Sequence, residues 1–234
     1  MTTSSGAPAG GPGEPFGTLH LEHASTVDRV AAELRRAVFD GELESGTPLR
    51  ELAIAASLGV SRPTVREALT VLVAEGLATR EPNRGVSVAS PLPDSVRDVC
   101  AARLVLEGAG VRRWREATEH QRALVHQTLE AYIGATRADA SYQELNERHL
   151  AFHVSLVGLT GSPRLVAMQE ALVAELKLAL AQVDRLRRNA HDMADSHAAL
   201  VRLLDDDDIE GAHGFLVAHL TDAEEQIIEA LDLR

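Results

Sequence analysis

Residues 59–69, GVSRPTVREAL, constrain this chain more than any other stretch. Ser61 is a favoured N-cap, because its hydroxyl accepts a hydrogen bond from an otherwise orphan backbone N–H. Pro63 falls in the first turn of the helix that follows, where its missing donor does no harm. Arg62 and Arg66 lie one helical turn apart and project from one face, while Val65, Leu69 and Leu72 line another that can anchor the helix to a core. Guanidinium groups suit the first face for nucleic acid, since their fixed forks pair with phosphate oxygens or with O6 and N7 of guanine. The stretch reads as the turn and recognition helix of a DNA-binding helix-turn-helix, although two arginines at this spacing also suit an ordinary solvated face.

The flanks favour the first reading. Val27 to Val38 carries apolar residues at a helical period and ends at Asp40-Gly41. A shorter helical pattern, Arg50 to Leu58, runs into Gly59. After Gly76, Leu77 to Arg80 and Val86 to Ala89 read as two short strands joined by Glu81-Pro82-Asn83-Arg84-Gly85. Three helices followed by a hairpin make a winged helix-turn-helix.

Residues 41–88, GELESGTPLRELAIAASLGVSRPTVREALTVLVAEGLATREPNRGVSV, resemble the N-terminal domain of the GntR family of regulators. The resemblance implies that Ser61, Arg62, Thr64 and Arg66 face DNA, with Arg84 and Gly85 at the wing tip near the minor groove. Family members often carry an arginine where this chain has Leu52, directly after Glu51, and Arg50 is the candidate to replace it.

A formal charge of −12, from 23 basic and 35 acidic residues, seems to oppose nucleic acid. Its distribution matters more than its sum. Residues 19–90 hold eight arginines and ten acidic residues, whereas residues 95–234 hold fifteen basic and 23 acidic ones. DNA affinity therefore depends on a focused arginine cluster and on dimerisation, not on bulk charge.

The chain divides into a disordered tail (1–18), a winged helix-turn-helix (19–90), a linker (91–94) around Ser90-Pro91-Leu92-Pro93, and a helical domain (95–234). The tail is rich in Gly, Pro, Ser and Ala, lacks apolar periodicity and has no signal-peptide pattern. No apolar run reaches the roughly 20 residues that span a bilayer. Together with the single cysteine, Cys100, read as a buried structural thiol, this suits a reducing cytoplasm.

From Asp94 onward apolar residues recur at three and four, which predicts helices over 94–114, 119–138, 141–159, 163–187, 192–205 and 208–232. Thr118 with Gln121 and Ser141 with Glu144 have capping-box spacing, and Ser162-Pro163 puts proline in a first turn. Asp205 to Asp208 reads as a solvated helix junction. The fold expected is mainly α, with six or seven helices in the second domain.

His149 and His153 stand at i and i+4, on one helical face, and can hold one ion together. His197 lies on the stripe of Leu200, Val201 and Leu204, and His219 on that of Phe215, Leu216 and Ala223. Each alone suits an ordinary core histidine. Four on inward faces of one bundle can instead enclose a divalent transition metal with coordination positions left open.

RLVLE at 103–107, FH at 152–153, LTGSPRL at 159–165, SHAALVRLLDDDD at 196–208 and AHL at 218–220 resemble the FCD ligand-binding domain of the FadR subgroup. That resemblance implies an antiparallel helical bundle, often with a metal held by an aspartate and three histidines. The histidines carry over as His153, His197 and His219, while His149 occupies the aspartate position and Asn146, one turn earlier, is a substitute ligand. It further implies that a small organic acid binds at the metal with Arg103 neutralising it; an ion pair with Glu107, at i+4, is the other role open to Arg103. Zinc is the leading ion, with nickel or manganese next.

The function expected is a homodimeric repressor of a palindromic double-stranded DNA operator, not an enzyme, controlled by a carboxylate effector. A regulator answering to metal alone, and a metal-dependent hydrolase with Glu147 or Glu170 near its site in sequence, are the alternatives.

Overall fold

Helix starts in this chain are written by side chains that satisfy first-turn N–H groups. The computed structural model describes residues 25–138, 140–187 and 190–232, so the expected tail at 1–18 lies outside the described residues. Ser25 and Asp28 form a reciprocal capping box that opens α1 (Thr26–Phe39). α2 (Glu51–Leu58) ends on Gly59, whose φ of +64° supplies the left-handed turn between the two helices of the motif. Ser61 caps α3 (Arg62–Ala74) through the Thr64 N–H, with Pro63 in the first turn.

The two strands are β1 (Ala78–Glu81) and β2 (Gly85–Val88), antiparallel, with Ala78 opposite Val88 and Glu81 opposite Gly85. The connection is therefore tighter than predicted, because Glu81 and Gly85 both pair in the ladder. The segment before α2 fastens this wing to the helices: Leu49 N–H donates to the Val86 carbonyl at 2.8 Å and Val88 N–H to the Thr47 carbonyl at 2.9 Å. Val30, Leu34, Phe39, Val65, Leu69, Leu72, Leu77 and Val88 share one core.

α4 (Pro93–Val111) begins inside the predicted linker, with Pro93 in its first turn, where a missing N–H costs nothing. It is followed by α5 (Glu119–Arg137), α6 (Tyr142–Gly158), α7 (Pro163–Arg187), α8 (Ala190–Asp205) and α9 (Ile209–Asp232). The described residues thus hold six helices in the second domain. Thr118 and Gln121 make a full capping box. At Ser141 only half of the predicted box forms: the hydroxyl takes the Glu144 N–H, and Glu144 turns toward Arg148 instead. Asp208 receives the Gly211 N–H at 2.9 Å and Asp207 binds Arg115 at 2.7 Å, so the acidic junction is used in capping and surface pairing.

Two contacts matter for the site. Gly110 on α4 lies so close to α6 that an added Cβ would stand 1.9 Å from the Leu156 carbonyl oxygen. This approach brings the preceding turns of both helices, carrying Glu107 and His153, side by side. The second contact joins the domains: Leu178 of α7 is buried within the winged-helix core, and Gly76, at φ +74°, sits against the Ala174 carbonyl. Cys100 is buried, and burial pushes its thiol up to about 11.

Candidate nucleic-acid interface and histidine centre

The recognition helix presents its polar face to solvent because Val65, Ala68, Leu69 and Leu72 occupy the other. On that face Arg66 is gripped by Glu51, Nε donating to Oε1 at 2.8 Å and Nη2 to Oε2 at 2.7 Å. Arg62 approaches the same carboxylate at 3.5 Å. Arg66 first, and Arg62 second, hold Glu51 below the usual glutamate range. One acidic side chain at the start of α2 therefore draws both arginines together while each remains more than half exposed. Ser61 and Thr64 share a hydroxyl–hydroxyl bond of 2.8 Å beside them.

At the wing, Arg84 pairs with Glu81 at 3.1 Å and stays largely exposed. Gly85 has φ +91° and Asn83 φ +65°, the turn conformations that push Arg84 outward. Arg50 is the N-cap residue of α2 but makes no side-chain capping bond. Leu52 is 68% exposed, an apolar group left on the surface at the position where the resemblance expects an arginine. Arg80 on β1 reaches Thr70 of α3 at 3.4 Å and adds a cation to this side, one that sequence reasoning missed.

The second constellation lies inside the bundle. His149 and His153 of α6, His197 of α8 and His219 of α9 each offer a ring nitrogen, and the four nitrogens lie within 4.8 Å of one another. The His153 Nε2 stands 3.1 Å from Nε2 of both His149 and His197. Burial is the leading cause that drives all four pKa values down, His219 to about 4 with Arg103 adding to the effect. Neutral imidazoles are the ligand form for a transition metal.

His153 Nδ1 stands 2.7 Å from Glu107 Oε2, and His197 Nδ1 donates to the Met193 carbonyl. With Glu107 held as a carboxylate by Arg103, each neutral ring spends its single N–H there, which leaves both Nε2 atoms as bare acceptors facing each other at 3.1 Å. A proton on His149 can satisfy one of them and not both. Two nitrogens bound to one tetrahedral ion at about 2.0–2.1 Å lie about 3.3 Å apart, so the donor set fits a divalent metal.

Glu107 organises this centre. It is fully buried; Oε1 accepts from Arg103 Nε at 2.9 Å and from Gln169 Nε2 at 2.6 Å, while Oε2 takes His153. Burial pushes its pKa up, and Arg103 opposes that by stabilising the carboxylate. The two roles open to Arg103 thus coincide: it pairs with Glu107 and also lines the cavity of about 20 Å³ with His149, His153 and His219. Its Nη2 has no partner among the described residues. Asn146 is turned to α7, its Nδ2 donating to the Lys177 carbonyl at 3.3 Å, while His149 joins the cluster. A wider crevice of about 170 Å³, lined by Ser196, Phe215, Asp222 and Gln226, adjoins the cavity at His219.

Residues 26–88 match the family described as bacterial regulatory proteins of the gntR family, and residues 98–222 match the FCD domain. Over 208 residues the chain is 30% identical to a probable D-xylose utilization operon transcriptional repressor of Paenarthrobacter nicotinovorans, covering 86% of this chain and 88% of that one. The chain belongs to the GntR family and carries an FCD domain. It is a transcriptional regulator, of a family that binds DNA operators.

This GntR regulator is also 42% identical to the gluconate operon transcriptional repressor of Bacillus subtilis (strain 168), over 87 residues that make up 37% of this chain and 35% of that one. Among solved structures it resembles a GntR regulator from Rhodococcus sp. RHA1, with TM-score 0.70 and 29% identity over 88% of this chain and 99% of the other. E. coli McbR/YncC, with TM-score 0.62 and 20% identity over 88% of this chain and 99% of that one, shares its fold. No described helix is long and apolar enough to cross a membrane.

Sequence reasoning missed Glu51 and Glu107 in their full roles. Spacing revealed Glu107 as a partner of Arg103, four residues away, but not of His153, which lies 46 residues away on another helix. Gln169 carried no local signal at all.

Proposed function

We propose that this GntR regulator binds a palindromic operator as a homodimer repressor, and that a small carboxylate effector at a metal held by His149, His153, His197 and His219 sets its operator affinity. The observation that supports the reading best is the meeting of the His153 and His197 Nε2 atoms, 3.1 Å apart, beside a cavity that His153 lines together with His149, His219 and the Arg103 guanidinium. The bound metal would supply a positive charge and open coordination positions for an anion. Zinc suits the all-nitrogen donor set, nickel next, and manganese least, because manganese favours carboxylate oxygens.

At the other end of the chain, Arg62, Arg66 and Ser61 with Thr64 offer donors on the recognition helix, and Arg84 with Gly85 offers the wing; Arg50 stands at the flank of α2. A two-fold dimer places two such helices about 34 Å apart, one turn of DNA. An effector that favours a bundle arrangement with different spacing changes operator affinity by linkage. Catalysis is the poorer reading, since Glu147 and Glu170 are exposed and Glu107 is engaged by three partners.

The small inner cavity favours a second reading, control by metal alone, because about 20 Å³ holds little beyond a carboxylate head group. One experiment separates them. Operator affinity is measured by fluorescence anisotropy while zinc and a panel of small carboxylates are titrated independently. An effect that needs both supports the first reading, and an effect of zinc alone supports the second. A protein that takes up no divalent ion refutes both.

A further inference from the structure

Glu107 alone among the described residues joins the histidine cluster to Arg103 through a single carboxylate. We propose that Glu107 is a positioning residue shared by two ligands, so that an anion on Arg103 and a divalent metal on the histidines bind cooperatively. The proposal rests on reading the histidines as the metal site. Its Oε2 holds the His153 ring with Nε2 turned to the other histidines, and its Oε1 holds Arg103 by Nε. Arg103 is thereby fixed with Nη2 unpartnered among the described residues, in a guanidinium that lines the cavity.

The coupling follows from one carboxylate serving both a guanidinium and the N–H of a neutral imidazole. An anion arriving at Nη2 takes a share of the guanidinium charge that otherwise neutralises Glu107. The carboxylate then accepts more strongly from His153 Nδ1–H, and the imidazole becomes a better donor at Nε2, as carboxylates behind ligating histidines do. In the other direction, a cation on Nε2 strengthens the Nδ1–H bond to Glu107 and loosens its hold on Arg103, freeing positive charge for the anion. Linkage requires both directions to have the same magnitude.

Gln169 braces the same oxygen at 2.6 Å and stands on α7, the helix whose Leu178 enters the winged-helix core. The shared carboxylate is thus tied to the element that touches the DNA-binding domain.

The test uses the full chain, zinc as the metal and acetate as the anion. Zinc affinity is measured by competition with a chromogenic chelator, with and without saturating acetate, in wild type and in E107Q. Wild type is expected to bind zinc about 5-fold or more tightly in acetate. E107Q is expected to lose about 10- to 100-fold in zinc affinity and to show the same affinity with and without acetate. Retention of the wild-type acetate factor in E107Q would mean that acetate acts on the metal directly and would overturn the proposal. So would an unchanged zinc affinity.

If E107Q fails to fold because Arg103 is left uncompensated, R103Q/E107Q is compared with R103Q. Zinc affinity about 10-fold or more weaker in the double variant supports the proposal, and equal affinities overturn it. A wild type that binds no zinc refutes the metal reading itself, a separate outcome.

Discussion

Acid should unfold the metal-stripped protein through His219, and the size of the effect follows from its burial. Its folded pKa lies at about 4 against an ordinary 6.5, because burial and the Arg103 charge oppose protonation. The unfolded chain therefore binds the proton first as pH falls. Stability from this residue is complete above pH 6.5, declines below it and levels off under pH 4. Between pH 7.5 and pH 5 the loss is about 2 kcal/mol for His219 alone. His149, His153 and His197 are depressed for the same leading reason and add to the loss. Stopping at pH 5 keeps the experiment above the range where exposed, ion-paired carboxylates such as Glu33 and Glu42 start to protonate.

The assay is urea unfolding of chelator-treated protein at pH 7.5 and pH 5, for wild type and His219→Gln. Glu107, whose pKa is raised by burial, is common to both proteins, so it largely cancels in the difference. The variant should lose about 2 kcal/mol less than wild type across that range. Coincident pH dependences would refute the reasoning, since they would mean that His219 titrates as a solvated imidazole.

Further predictions concern metal choice, DNA and packing. With four imidazoles and no carboxylate ligand, zinc and nickel should bind far more tightly than manganese or magnesium, and His149→Asp should narrow that gap in calorimetric titrations. Arg66→Ala should weaken operator binding by about 1–3 kcal/mol with an unchanged far-UV spectrum, because the side chain is exposed and, among the described residues, pairs only with Glu51 on the surface; wild-type affinity in anisotropy would count against its role. Gly110→Ala should destabilise the bundle by about 1–3 kcal/mol or more, read as a lower melting temperature, because its methyl group has no room beside the Leu156 carbonyl.

Much of the fold was legible because its signals are local. Caps at Ser61, Thr118 and Ser141, glycine at Gly59 and the 3.6-residue apolar period act within one or two turns, and the helices begin and end within about three residues of expectation. The hairpin ends were harder, since Glu81 and Gly85 pair only because the ladder extends over them. The half-formed box at Ser141 shows a local signal losing to a neighbour, Arg148.

The histidines illustrate the same division at the candidate site. Periodicity placed His149, His153, His197 and His219 on inward faces, which is as far as one-dimensional spacing reaches. Which nitrogen of His153 and of His197 carries the proton depends on Glu107 and the Met193 carbonyl. Glu107 meets His153 only because Gly110 lets α4 and α6 approach closely. Likewise, two arginines one turn apart announced a polar recognition face, but it took the packing of α2 against α3 to bring Glu51 to both. The amino-acid sequence by itself determined the helices, the wing and the set of donors, because those follow from contacts a few residues apart. Tertiary structure alone decided the proton arrangement, the shared carboxylate and the junction of α7 with the winged helix, because burial and charge depend on neighbours distant in the chain.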